Sequence, residues 1–277
     1  MKPAPLEIVW PATVDEALRA LSEVEDARAL AGGQSLVPML NLRLAPAERV
    51  VDLGRIAALR EVQSRADAVV YGALTPHAAF EDGRVPDAAG GLLRETGAGI
   101  AFRAIRTRGT IGGSVALADP AADWLVTLLA LQASVHLRSP RGERTLPIDD
   151  FLFGAYTTAL APDELLCAVE VARRPAGERW GRCKIVRKAG EYADSLCVVL
   201  LEPAARRARV ALGALDGEPR ALARCAAALA DGVPPGELPP AIEEDLREAG
   251  VLEAVARRRH ATCVQRAVAA ALERQTP

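Results

Sequence analysis

The stretch LAGGQSLVPML, residues 30–40, sets a glycine pair and two polar side chains between two apolar runs. Such a junction is either an ordinary turn or a cradle for an anion, because glycine lets backbone approach closely and leaves N–H donors uncovered. A second stretch, RTRGTIGGSVALADPAAD over residues 106–123, repeats the device. Each stretch joins adjacent glycines to hydroxyl or amide side chains, so two such loops can embrace one diphosphate. Neither is a known single-loop nucleotide site: there is no G-x-x-x-x-G-K-[ST] lysine and no G-x-G-x-x-G with a ribose-binding acid downstream. That argues against a P-loop ATPase and against a Rossmann dehydrogenase.

Working outward, Thr13-Val14-Asp15-Glu16 has capping-box spacing, and Ala17, Leu18, Leu21 and Val24 follow at helical intervals, which predicts a helix over 14–25. Arg28–Ala31 reads as a strand entering the first glycine pair, and Val50–Leu53 and Val69–Tyr71 as further strands. The first fifty residues thus form a small α/β unit with the glycine pair on a strand-to-helix connection. Thr75-Pro76 marks a helix start. Trp124–Leu131 reads as an apolar helix, Val135–Arg138 as a strand, Pro140–Glu143 as a hairpin turn and Leu165–Val171 as another strand. Asp149 and Asp150 read as helix-capping acids before Phe151. Arg173–Glu178 is the best linker. Beyond it Cys197–Leu201 and Ala208–Leu215 resemble paired strands, and alanine-rich helices over 221–230 and 241–274 flank a proline-rich break.

The composition narrows the function. Half of the 277 residues are hydrophobic, enough for a sizeable core, and a formal net charge of −2 lacks the basic footprint of a nucleic-acid binder. No uncharged run reaches the roughly 18 to 20 residues of a membrane span, and the chain reads as cytoplasmic. The five cysteines, Cys167, Cys183, Cys197, Cys225 and Cys263, are scattered without a C-x-x-C pair, so they read as small buried hydrophobes rather than disulfides or cluster ligands. The three histidines, His77, His136 and His260, have no acid or cysteine at ligand spacing, so no metal site is expected. Redox chemistry in this chain therefore needs an organic cofactor.

Ala31–Pro38 with its continuation through Asn41–Leu44 to Val51-Asp52-Leu53, Arg108–Gly113, Ala118–Asp123, the Asp150–Gly154 region and Glu164-Leu165-Leu166 together resemble the medium, flavin-binding subunits of molybdenum hydroxylases, such as the carbon monoxide and xanthine dehydrogenase flavoproteins. The resemblance implies an α+β fold: a two-lobed FAD-binding domain of the PCMH/VAO-like type over 1–176, with lobes at about 1–54 and 55–176. A small C-terminal α+β domain with a three-stranded antiparallel sheet would follow over 177–277. It implies that Ala31, Gly32, Gly33, Gln34, Ser35 and Leu36 bind the FAD diphosphate together with Thr110, Ile111, Gly112, Gly113 and Ser114. Asp123 matches an acid near the ribityl and phosphate groups, Leu165 or Leu166 a backbone contact to flavin or adenine, and Lys184 a basic residue near the cofactor. Tyr192 resembles a tyrosine that covers one face of the isoalloxazine, an arrangement that shields the ring yet can open to an acceptor.

Three positions depart from the family pattern: Ser114 and Thr107 stand where asparagine is common, and Phe102 where histidine is. The function implied is an FAD-binding electron-transfer subunit. It would take electrons from the iron–sulfur clusters of a 2Fe–2S small subunit, fed by a molybdopterin-binding large subunit, and pass them to NAD, a quinone or oxygen. The alternative suggested by Phe102 and Ser114 is a stand-alone FAD-dependent oxidoreductase acting on a small organic substrate. A docking module that has lost FAD is disfavoured, because bare docking does not require intact glycines in both loops.

Overall fold

The computed structural model describes residues 2–274. Its first lobe is a three-stranded parallel sheet. The elements are β1 (Glu7–Val9), α1 (Val14–Ser22), β2 (Ala27–Leu30), α2 (Leu36–Asn41) and β3 (Arg49–Asp52), with strand order β1-β3-β2. Helix α1 begins as its sequence dictates: the Thr13 hydroxyl accepts from Glu16 N–H at 3.2 Å, and the Glu16 carboxylate reaches back to Ala12 N–H at 2.7 Å. Val14, Ala17, Leu18 and Leu21 form its buried stripe. It stops at Ser22, short of the expected 25, because the chain turns through Glu25-Asp26 into β2. The glycine pair does lie on the β2-to-α2 connection.

The second lobe runs through β4 (Val62–Ser64), β5 (Ala68–Gly72), α3 (His77–Glu81), α4 (Leu92–Ala98), α5 (Arg103–Arg106), α6 (Ile111–Leu117) and α7 (Asp123–Leu131). It continues with β6 (Ser134–Ser139), β7 (Gly142–Pro147), α8 (Ile148–Phe151), β8 (Leu152–Gly154), β9 (Thr157–Thr158) and β10 (Leu165–Ala172). Five of these strands make an antiparallel sheet in the order β4-β5-β10-β6-β7, closed by the expected hairpin at Ser139–Gly142. Helix α7 is buried on every side, which is why its sequence is apolar all round rather than striped. Asp149 and Asp150 sit inside α8, in its first turn, and not at its cap, which is Pro147.

The remainder comprises β11 (Arg179–Ile185), β12 (Ser195–Glu202), β13 (Arg207–Gly213), β14 (Arg220–Ala221), α9 (Ala223–Ala230), α10 (Pro239–Glu248) and α11 (Ala254–Glu273). The sheet has four strands in the order β11-β12-β13-β14, not the expected three. The extra strand is two residues long and carries the arginine of an Arg-Ala pair, so it has no apolar alternation to announce it. The single helix expected over 241–274 is two, because Gly250 takes a left-handed φ of +77° after α10 and the Glu253 carboxylate caps a new start.

Alternation along β12 explains how this part is held. Leu196, Val198 and Leu200 pack into the core that contains α7, while Cys197 and Val199 face a second core built with α9, α10 and α11. Of the cysteines, Cys197, Cys225 and Cys263 are buried in that second core, whereas Cys167 and Cys183 are only half-buried.

Helix α11 lies directly on β11 at Gly181. A Cβ there would lie 2.0 Å from the Ala267 carbonyl oxygen and 2.5 Å from Ala271 N. We predict that Gly181→Ala forces the helix off the sheet and destabilises the chain by about 1–3 kcal/mol, read as a lower midpoint in chemical denaturation. An unchanged midpoint would show that the helix does not dock as described.

Candidate cofactor-binding site

A cavity of about 530 Å³ lies between the β2-to-α2 loop, the start of α6 and the segment from β11 to Tyr192, with residues 73–77, 100–105 and 164–166 and the start of α7 completing its wall. All of the residues assigned above from the resemblance line it except Ile111. Ile111 is fully buried and its side chain belongs to the core beneath the loop, so its presence in the pattern reflects packing.

The two glycine loops meet backbone to backbone. A Cβ on Gly32 would lie 2.1 Å from the Arg108 carbonyl oxygen and 2.7 Å from Gly109 Cα, so only glycine fits. Gly33 takes a φ of +74°, which L-residues with side chains rarely adopt. Through this turn the N–H groups of Gly32, Gly33, Gln34 and Ser35 have no hydrogen-bond partner among the described residues. Four successive uncovered donors are an anion-binding concavity. The Gln34 side chain steadies it by donating to the Gly32 carbonyl at 3.1 Å.

The second loop differs. Ile111 N–H donates to Thr75 O at 3.0 Å and Gly112 N–H to Ala73 O at 2.9 Å, while Gly113 N–H caps onto the Thr110 hydroxyl at 3.1 Å. A Cβ on Gly112 would lie 2.4 Å from that of Ala73. The expectation that both loops present free backbone donors is therefore corrected. The second loop is stitched to residues 73–77, its Gly112 serves close packing, and Thr110 and Ser114 are its hydroxyl-bearing residues in the cavity lining.

Asp123 is buried at the start of α7 and is not a free acid. Arg182 donates to its Oδ1, and Lys184 Nζ donates to its Oδ2 at 2.9 Å and to Gly99 O at 3.0 Å. Two cations against one carboxylate leave this wall net positive. The other buried acid at the cavity, Glu164, is neutralised by Arg144 at 2.7 and 2.8 Å, which holds its carboxyl below the usual carboxylate range. Asp119 and Glu191 also line the cavity, so the positive face that favours an anion is the local one at Lys184 and Arg182.

Leu165 and Leu166 line it from the start of β10, and Tyr192 lies at its mouth, well exposed. Phe102 is exposed beside Gly190, the left-handed glycine (φ +86°) of the Tyr192 loop. Thr107 turns its hydroxyl onto the Ala104 carbonyl at 2.8 Å, so it does not line the cavity.

Residue spacing missed two participants. Arg182, the stronger partner of Asp123 by burial, lies 59 residues away along the chain. His77 lines the cavity and is buried, brought there because its N–H bonds Gly109 O at 2.9 Å. His136, for its part, meets an acid after all, with Nε2 3.1 Å from Glu170, because strand pairing aligns β6 with β10.

A family model described as the FAD binding domain in molybdopterin dehydrogenase matches residues 4–173. The nicotine 6-hydroxylase medium subunit of Paenarthrobacter nicotinovorans is 36% identical over 221 residues, 79% of this chain and 77% of that protein. The carbon monoxide dehydrogenase medium chain of Hydrogenophaga pseudoflava is 36% identical over 202 residues, 73% of this chain and 70% of that one. A solved structure of reconstituted CO dehydrogenase from Oligotropha carboxidovorans superposes with a TM-score of 0.89 at 31% identity, covering 99% of this chain and 100% of that one.

The chain belongs to the FAD-binding family of the molybdopterin dehydrogenases and is a flavoprotein subunit of the molybdenum hydroxylase type. Its cofactor is FAD, and its class is oxidoreductase. Among the described residues no helix is long and apolar enough to cross a membrane.

The ion cluster yields a test independent of the cofactor. Asp123→Ala leaves Arg182 and Lys184 buried without their counter-charge and should destabilise the chain by about 3–5 kcal/mol. Chemical denaturation of variant and parent measures this. A loss under half a kilocalorie, about what a surface substitution gives, would mean that the cluster is not closed to water.

Proposed function

We propose that the four uncovered N–H groups of Gly32, Gly33, Gln34 and Ser35 receive the FAD diphosphate, with the hydroxyls of Thr110 and Ser114 facing it from the second loop. The run of unpartnered donors carries this reading, because buried or enclosed backbone N–H groups are otherwise almost always paired. The two cations Lys184 and Arg182 on Asp123 support it, as do Leu165 and Leu166 and the aromatic Tyr192, which line the same cavity and would contact a flavin bound there. Residues 1–176 would hold the cofactor and 177–277 would close the cavity, with the first part dividing near residue 54. The extent of the family match and the position of Lys184 and Tyr192 favour that division.

FAD, when bound, supplies redox chemistry that no side chain of the cavity can. The protein's own share is to bind the diphosphate, to set the electrostatic surroundings and to limit solvent. We further propose that the chain works in a complex with a molybdopterin-binding large subunit and a 2Fe–2S small subunit, and delivers electrons to an acceptor such as NAD, a quinone or oxygen. Its relatives are named as medium subunits, which supports this over a stand-alone enzyme. Five free cysteines suit a reducing, cytoplasmic setting.

The test is isolation of the native complex carrying either parent chain or Gly33→Val. At a φ of +74°, with Val37 Cγ2 already 3.2 Å from where a Cβ would sit, valine must distort the donor run. The parent complex should carry FAD and both partner subunits, and the Gly33→Val chain should remain folded but release its flavin. A variant that retains flavin as well as the parent overturns the cradle, and a parent that purifies alone overturns the partner assignment.

A further inference from the structure

His77 is a buried cavity group that no assignment above uses. It opens α3 and is 5% exposed. Trp124 Nε1–H donates to its Nδ1 at 3.0 Å. Indole N–H can only donate, so Nδ1 must carry the lone pair, and a neutral ring then holds its proton on Nε2. Burial, with the Arg106 cation adding to it, lowers the imidazole pKa to about 4. Near neutral pH the ring is thus a single tautomer and uncharged. The tilted contact of Phe80 with Trp124, ring centroids 4.7 Å apart, fixes the indole that fixes the imidazole.

The Nε2 end has no hydrogen-bond partner among the described residues, although the ring is one of the most enclosed polar groups of the cavity wall. It rests against Gly109, where a Cβ would lie 2.8 Å from Nε2. Gly109 belongs to the same backbone that Gly32 touches, so Nε2 lies at the junction of the two loops. A histidine with a merely structural role would have both nitrogens satisfied within the fold. This one has a single nitrogen tied down and the other, an N–H beside Gly109, without a partner in a side chain that lines the cavity.

We infer that His77 Nε2–H is a further hydrogen-bond donor to the FAD diphosphate at the loop junction, held in its donating tautomer by Trp124. The inference rests on the FAD reading above. A neutral donor suits the place, since a directed N–H adds orientation without a further buried cation.

The experiment titrates flavin-free parent, His77→Leu and His77→Gln with FAD, and records the 31P resonances of the bound diphosphate. His77→Leu should weaken FAD binding by about 10- to 100-fold, the range for one hydrogen bond to a charged acceptor, and should move at least one diphosphate resonance. His77→Gln, which can accept from Trp124 and still donate, should recover most of the affinity. Should His77→Leu not fold, 15N-labelled histidine in the parent decides: the His77 Nε2 resonance must shift when FAD is added. Equal affinities with unmoved phosphorus resonances, or an Nε2 resonance indifferent to FAD, overturn the inference alone. A parent that binds no FAD overturns the reading beneath it as well.

Discussion

The contact of Gly32 with the carbonyl of Arg108 and the Cα of Gly109 is the constraint on which the site depends. It joins a loop of the parallel-sheet lobe to a loop of the antiparallel-sheet lobe at a distance that no side chain survives. The second loop is in turn held to residues 73–77 by three main-chain hydrogen bonds, from His77, Ile111 and Gly112. The lobes therefore approach as two pieces of backbone locked in register. The donors left over at Gly32–Ser35 are those that no neighbour in the fold can reach.

The loops share a glycine pair but divide the labour. In the first, Gly33 supplies a left-handed turn that uncovers N–H groups. In the second, Gly112 supplies close packing onto Ala73, and the N–H groups are consumed inside the fold. Electrostatics then orders the cavity: Glu164 is cancelled by Arg144, while Asp123 is outweighed by Arg182 and Lys184. The positive face is confined to Arg182 and Lys184, and elsewhere in the cavity an anion would be placed by directed N–H groups rather than by a mobile cation.

Much of this was legible in the sequence, for reasons that particular residues make plain. The capping pattern of Thr13 and Glu16, the strand into the first glycine pair and the largely apolar α7 are local signals, and local signals survive folding. The loop residues could be grouped because their chemistry is written in adjacent positions. What stayed hidden was long-range. Nothing near His77 announces Trp124, and nothing near Asp123 announces Arg182, since strand pairing and helix docking make those contacts. The four-stranded sheet escaped notice because β14 is too short for alternation to register, and the break at Gly250 because the alanine-rich sequence keeps helical propensity on both sides. Ile111 belongs to the glycine motif by position but to the core by contact, a distinction only packing reveals.

The central claim is that this cavity recognises a dinucleotide flavin by its diphosphate. The measurement that tests it most directly is parallel calorimetric titration of the flavin-free chain with FAD and with FMN, which has the same ring system but a single phosphate. One FAD per chain should bind, and FMN should bind at least about a hundredfold more weakly, as the loss of two hydrogen bonds to charged phosphate oxygens requires. FMN binding as tightly as FAD would contradict the assignment of the two glycine loops.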